Sequence, residues 1–285
     1  MSREHRMETT SNTGVRSTGS LFWALEWRLA TLRNGMREAL AYRGEFLLGL
    51  AGSAIVPIAI QLMLWSALLG GNPDARFAGM SHGDLMAYTW TSLLFSQIRG
   101  GDYDFDLIEM IRTGSLSNSL LKPVGVVEFT YFKGLGEKLI TTLVALVLGL
   151  IACTFTSMTP AGLLMGLMLA LLGNVIAYLF GAALAAVAFY WENAFAVLMV
   201  KNMVVALLCG ELIPLSIVPE SHAWIWRSTP FYLFVYGPSQ VALGKWDTGV
   251  WMQEMGIGIL WAIGLWAAVR FSWKFSIHRY QGIGG

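Results

Sequence analysis

Residues 139–191 read LITTLVALVLGLIACTFTSMTPAGLLMGLMLALLGNVIAYLFGAALAAVAFYW, 53 consecutive positions without one charged side chain. As a single helix this stretch would be about 80 Å long, far more than the roughly 30 Å core of a bilayer. It must therefore turn back on itself, and Thr159-Pro160 marks the reversal, because proline ends a helix more readily than it continues one. Two crossing helices follow, at 139–157 and 161–191.

Further spans are read on either side of this hairpin. Residues 46–69 are 24 uncharged positions, about 36 Å of helix. Between Asp84 and Arg99 only 14 positions are uncharged, roughly 21 Å, so a second span at about 81–100 must borrow polar residues at its ends. A fifth span is expected at about 194–213 and a sixth at 250–273. The composition agrees: the chain of 285 residues is 55% hydrophobic and 13% charged, about half the charge of a soluble domain. The expected class is an all-α polytopic membrane protein of six transmembrane helices.

Lysine and arginine sort the loops into two faces. Seven precede the first span, five lie at 99–138 and three at 270–279, whereas the other face holds only Arg76, Arg227 and Lys245. Both termini are thus expected in the cytoplasm. The net charge of +1 offers no field for nucleic acid. Cys153 and Cys209 lie in apolar runs, and the four histidines lack ligand spacing, so no metal site is expected.

Residues 1–20 are polar and read as a cytoplasmic tail. Over 21–45, Leu25, Leu29, Leu32, Met36 and Leu40 recur at helical steps, with Arg28, Arg33 and Arg37 off the stripe and Trp23 and Trp27 beside it. A basic, Trp-bearing amphipathic helix of this kind lies in the headgroup plane. The transmembrane domain then occupies 46–273 and a cytoplasmic tail 274–285.

Two segments that do not span are expected to carry function. In the cytoplasmic loop 101–138, Asp106 and Glu109 have the D-x-x-E spacing of a capping box, so a short helix is expected from Leu107, with Gly114 ending it. Leu107, Ile108 and Ile111 give that helix an apolar ridge, and Arg112 stands beside it. On the cytosolic face such a ridge needs a cover, either the chain's own spans and lipid headgroups or a groove in a partner. The second segment, 210–249, is apolar but broken by Pro214, Pro219, Pro230 and Pro238. Its pieces are too short to cross and read as re-entrant or interfacial helices.

Ionisable and polar groups inside the spans are candidates for the substrate path: Lys201 and Glu211, with Asn174 in the fourth span and Glu192 at the turn after it. Lys201 and Glu211 are ten residues apart and do not share a helix face. Gly162 and Gly166 form a G-x-x-x-G that permits close helix contact, although chance matches are common among 31 glycines.

The stretch LIEMIRTGSLSNSLLKPV (107–124), the Pro-broken region from Glu211 to Gly244 and the ending Arg279-Tyr280 with Gly282, Gly284 and Gly285 resemble the permease subunits of type-two ABC exporters, in particular a bacterial branch with an LLKPV motif. The likeness covers about 21–285. It implies an N-terminal interfacial elbow helix, a cytoplasmic coupling helix between spans two and three, and re-entrant helices between spans five and six. ATPase coupling would then fall to Asp106, Leu107, Ile108, Glu109, Ile111, Arg112 and Gly114. It also implies a bacterial inner-membrane location, two copies of a separate ABC ATPase subunit, and a second permease subunit that is either a copy or a paralogue. No phosphate-binding G-x-x-x-x-G-K-[ST] occurs in the chain; GLGEK at 134–138 lacks the spacing and the hydroxyl. ATP and Mg²⁺ are thus expected on the partner and no cofactor here.

An intramembrane enzyme is disfavoured, since no G-x-S-x-G or H-E-x-x-H occurs. An ion-coupled transporter would show an inverted repeat and midplane charges. A passive channel or membrane-complex assembly factor is the alternative, and the amphipathic cytosolic ridge speaks against it. The cargo is not legible.

Overall fold

A computed structural model of the chain describes residues 16–70, 76–77, 79–99, 103–154, 156 and 158–280. These are helical throughout, with no strand beyond the isolated bridge between Phe77 and Met80. Residues 1–15 of the expected tail 1–20, and residues 281–285, lie outside the described residues.

Helix α1 (Arg16–Ala41) starts five residues before the expected position. Residues 16–20, expected in the tail, belong to it. The apolar stripe divides in two. Leu32 and Met36 are half-buried towards α6 (Val126–Ala152), while Leu25, Leu29 and Leu40 are exposed. The crossing is close because both helices bring glycine to it: a Cβ on Gly35 would fall 1.9 Å from the Lys133 carbonyl oxygen, and one on Gly136 2.2 Å from that of Leu32. Around that point Arg28 Nε donates to Glu128 at 2.8 Å, Lys133 pairs with Glu38 at 3.0 Å, and Trp27 meets Phe132 edge-on.

The hairpin forms at the expected place. Thr159 caps α7 (Pro160–Ala185) by accepting from the Gly162 amide at 3.0 Å, and Pro160 occupies the first turn, where its missing N–H costs nothing. α6 begins 13 residues before the expected span. Glu128, Lys133, Glu137 and Lys138 conceal this extension in a hydropathy reading, yet the helix continues through them.

Four segments are long and apolar enough to cross a membrane: residues Ala51–Leu69 of α2 (Arg43–Leu69), α6, α7 with its short continuation (Pro160–Phe189), and Thr248–Arg279. The expected second span is α3 (His82–Arg99), whose polar residues are turned inward: Thr89, Thr91 and Ser92 are buried, and Trp65 Nε1 donates to Thr89 at 2.9 Å. Its modest hydropathy reflects enclosure by protein on one face. The expected fifth span contains only α8 (Ala194–Leu208), 15 residues, and Gly210 just beyond it turns the chain with a φ of +78°.

α4 (Tyr103–Arg112) begins four residues before Leu107. Asp106 therefore lies within the first helical turn and not at a capping position. α4 runs beside the second half of α7, and the Tyr103 hydroxyl donates to the Gly134 carbonyl of α6 at 3.0 Å. The ridge of Leu107, Ile108 and Ile111 is buried among Leu179, Ala182, Ala185, Leu198 and Trp273. The cover is thus the chain's own helices. Gly114, with φ of +77°, follows the end of α4 as expected, and α5 (Leu116–Leu120) comes next.

Within 210–249 the prolines begin the short pieces. Pro214, Pro219 and Pro230 precede the turns Leu215–Ile217, Glu220–His222 and Phe231–Leu233. After α9 (Trp224–Arg227), Pro238 occupies the first turn of α10 (Tyr236–Ala242), whose seven residues are all buried. α10 packs against α7 and α3. Gly162 and Gly166 make room for it: a Cβ on Gly166 would fall 2.7 Å from the Pro238 carbonyl oxygen. Asp247 caps α11 (Thr248–Ser276) through the Val250 amide at 2.8 Å.

Candidate functional site

Two places combine the flagged residues with geometry that can act. The first is a cavity of about 350 Å³ between the α3–α4 junction, α7 and α8. Lys201 reaches it from α8 and pairs with Asp104 in the first turn of α4, their side chains 12% and 7% exposed. Asp104 sits against Gly181, where a Cβ would approach its Oδ2 to 2.7 Å. Glu211, beyond the end of α8, pairs with Arg99 at the end of α3 at 2.9 Å. The cavity thus has two cations and two anions, matched across the two sides of the α3–α4 break. Apolar atoms of Phe180, Val205, Leu212 and Phe234 complete the lining.

Lys201 and Glu211 both line this cavity, and they do not pair with each other. Asn174 is 2% exposed and does not line the cavity. Its Nδ2 donates to the carbonyls of Ile98 at 2.9 Å and Arg99 at 3.2 Å, and its Oδ1 accepts from Tyr131 at 3.3 Å. It therefore finishes α3 from the middle of α7, supplying donors to carbonyls that a helix end leaves unpaired. Glu192 is exposed at the turn between α7 and α8, away from the cavity. Pro214, Pro230 and Pro238 are buried and Pro219 is exposed.

Arg99 and Asp104 were missed in the sequence. A charge within an apolar helix signals that a counter-charge is needed. Asp104 lies 97 positions from Lys201 in the chain, however, and only the packing of α4 beside α8 shows that it is the partner.

The second place is the tip formed by the end of α5 and the turn that leads from it into α6. Asp106, Glu109 and Arg112 are exposed on the face of α4 opposite the ridge. Beyond them Leu120 is 41% and Leu121 85% exposed, followed by exposed Lys122 and Pro123. Lys122 Nζ stands 3.9 Å from the centroid of Phe129, which folds the lysine back and leaves the leucine foremost. The loop is fixed at both ends: Leu116, the first residue of α5, and Val126, the first residue of α6, are both buried. Leu120 and Leu121 thus leave an apolar pair exposed on a loop held at both ends.

No curated protein and no solved structure matches the chain. A family model described as ABC-2 family transporter protein matches residues 55–284, well over half of the sequence and both of the places above. Proteins of this family are membrane transport components with no catalytic centre of their own, and the family implies an ABC ATPase as partner. The apolar helices that shield an ion-paired cavity are accordingly those of a multi-pass permease, and the chain belongs to the ABC-2 family of transporter proteins.

Proposed function

We propose that the chain is the membrane-spanning permease of an ATP-driven exporter, with six crossings, two of them made by the enclosed α3 and the short α8. In this reading α1 is the interfacial elbow and the buried pieces of 210–249 are re-entrant. Both termini face the cytoplasm of a bacterial inner membrane. Two ATPase subunits carry ATP and Mg²⁺, and a second permease, identical or related, completes the complex.

The observation that carries the coupling assignment is Leu121, 85% exposed beside Leu120 at the tip of a loop whose two ends are buried. The roles of the expected coupling residues divide accordingly. Leu107, Ile108 and Ile111 hold α4 in the bundle. Asp106, Glu109 and Arg112, with Gly114 turning the chain, border the surface that α5 and Leu121 present to the ATPase. Closure of the ATPase dimer pushes this tip, and α4 passes the push as a rigid body to the ion pairs at Asp104 and Arg99. The Lys201–Asp104 and Arg99–Glu211 pairs then separate as the path opens.

The test is to purify the tagged protein in mild detergent from its native membrane and to identify co-purifying chains by mass spectrometry. A P-loop ATPase is expected in stoichiometric amount. Leu120→Asp with Leu121→Asp is expected to reduce its recovery at least about tenfold, as loss of a central apolar anchor does. If no ATPase is recovered, the channel or assembly-factor reading replaces this one.

A further inference from the structure

The last described residue, Tyr280, lies past the short turn Ile277–Arg279 that continues α11. Its hydroxyl donates to the Gly114 carbonyl at 2.6 Å and meets Ser117 twice, accepting from the backbone amide at 3.2 Å and lying 2.9 Å from Oγ. One phenol thus bridges both sides of the turn between α4 and α5, some 163 residues away in sequence. The left-handed backbone of Gly114 places that turn within its reach.

The ring is seated independently of the hydroxyl. Phe189 meets it edge-on at 6.3 Å and also packs on Trp273 at 5.6 Å. Arg279 lies over Tyr190 at 4.9 Å, and Ser276 Oγ donates to the Tyr190 hydroxyl at 3.3 Å. Trp273 Nε1 donates to the Ala182 carbonyl of α7 at 2.8 Å. The end of α11 is therefore fixed to the end of α7, and the tyrosine hydroxyl is what reaches from there to the loop.

We infer that Tyr280 is a positioning residue that ties the α4–α5 turn to α11, so that displacement of α5 moves the last span together with α3 and α6. This rests on the reading of α5 as the ATPase contact. Without the tie, a push on the tip is absorbed in the turn. With it, the turn and the end of α11 move as one.

Hydrogen exchange followed by mass spectrometry on the complex purified with its ATPase tests this, comparing wild type with Tyr280→Phe, each with and without ATP plus orthovanadate. Tyr280→Phe keeps the ring on Phe189 and removes only the hydroxyl. Without nucleotide, the Ser117 amide is expected to exchange about fivefold faster in the variant, the effect of one lost hydrogen bond. With nucleotide, wild type is expected to change its exchange at 113–123 and at 268–280, and the variant at 113–123 alone. A purely structural role would not separate these two responses. An unchanged Ser117 amide overturns the tie, and a response at 268–280 that persists in the variant overturns its coupling role. An eluate without ATPase counts against the permease reading and so against coupling, while the nucleotide-free comparison still judges the tie by itself.

Discussion

Burying a lone charged side chain is costly, and Lys201 offsets that cost by reaching Asp104. With both side chains nearly enclosed, removing one partner leaves the other buried and uncompensated. Lys201→Met is therefore expected to lower stability by about 3–5 kcal/mol, read as a drop in the thermal midpoint in detergent. Adding Asp104→Leu is expected to restore most of it; a double variant no better than the single would show that the two charges are not partners. Asn174→Leu removes the donors from the Ile98 and Arg99 carbonyls and is expected to cost about 1–3 kcal/mol in the same measurement. At this scale the sequence reveals the charges but not their pairing. Lys201, Glu211 and Asn174 stand out because apolar helices rarely carry such groups, whereas Asp104 and Arg99 look like ordinary loop residues.

Helices α4 and α5 exchange the roles that periodicity suggests for the loop. Spacing shows that Leu107, Ile108 and Ile111 form a ridge, and it is silent on what covers the ridge, because own helix and foreign groove have the same chemistry. α7 and α8 are the cover, so a charge at Ile111 meets protein interior. Ile111→Asp is expected to abolish folded protein on size-exclusion chromatography in detergent. Leu121→Asp, in contrast, is expected to elute as wild type and to fail only in retaining the ATPase. If both variants elute as wild type, α4 is not packed as described. The start of α6 was illegible for a different reason: its first four turns carry Glu128 and Lys133, which pair with α1, and the exposed Glu137. Gly136→Val would drive a side chain into the Leu32 backbone and is expected to free α1, seen as new protease cleavage between α1 and α2.

Across the whole molecule, large apolar side chains face outward on α2, α8 and α11, with Leu48, Met203 and Leu260 each more than 70% exposed. This is the surface of a multi-pass membrane protein solvated by lipid. The two faces of lysine and arginine give a direct test of orientation. In a Cys153→Ala, Cys209→Ala background, Ser117→Cys is expected to react with an impermeant maleimide only in inverted vesicles, and Ser221→Cys only in intact cells. Both are exposed in the structure. Labelling of both from the same side would rule out the six-crossing arrangement. The helical class was legible in the sequence because uncharged length is a property of the chain itself. The number of crossings was harder to read, because α3 and α8 owe their place to neighbours.

Helix α7 bears on how this protein can be altered. Glycine costs a helix about 1 kcal/mol against alanine, yet Gly162, Gly166, Gly173 and Gly181 each stand where a methyl group would strike α10, the Phe231–Phe234 turn or Asp104. One helix thus supplies seats of a single size to three different parts of the molecule. A library randomised along α7 should return glycine at those four positions, whereas one randomised on the outer face of α8 should return almost any apolar residue. Change is thus tolerated most on the outer face of α8, with α7 serving as the fixed template against which the rest is recast.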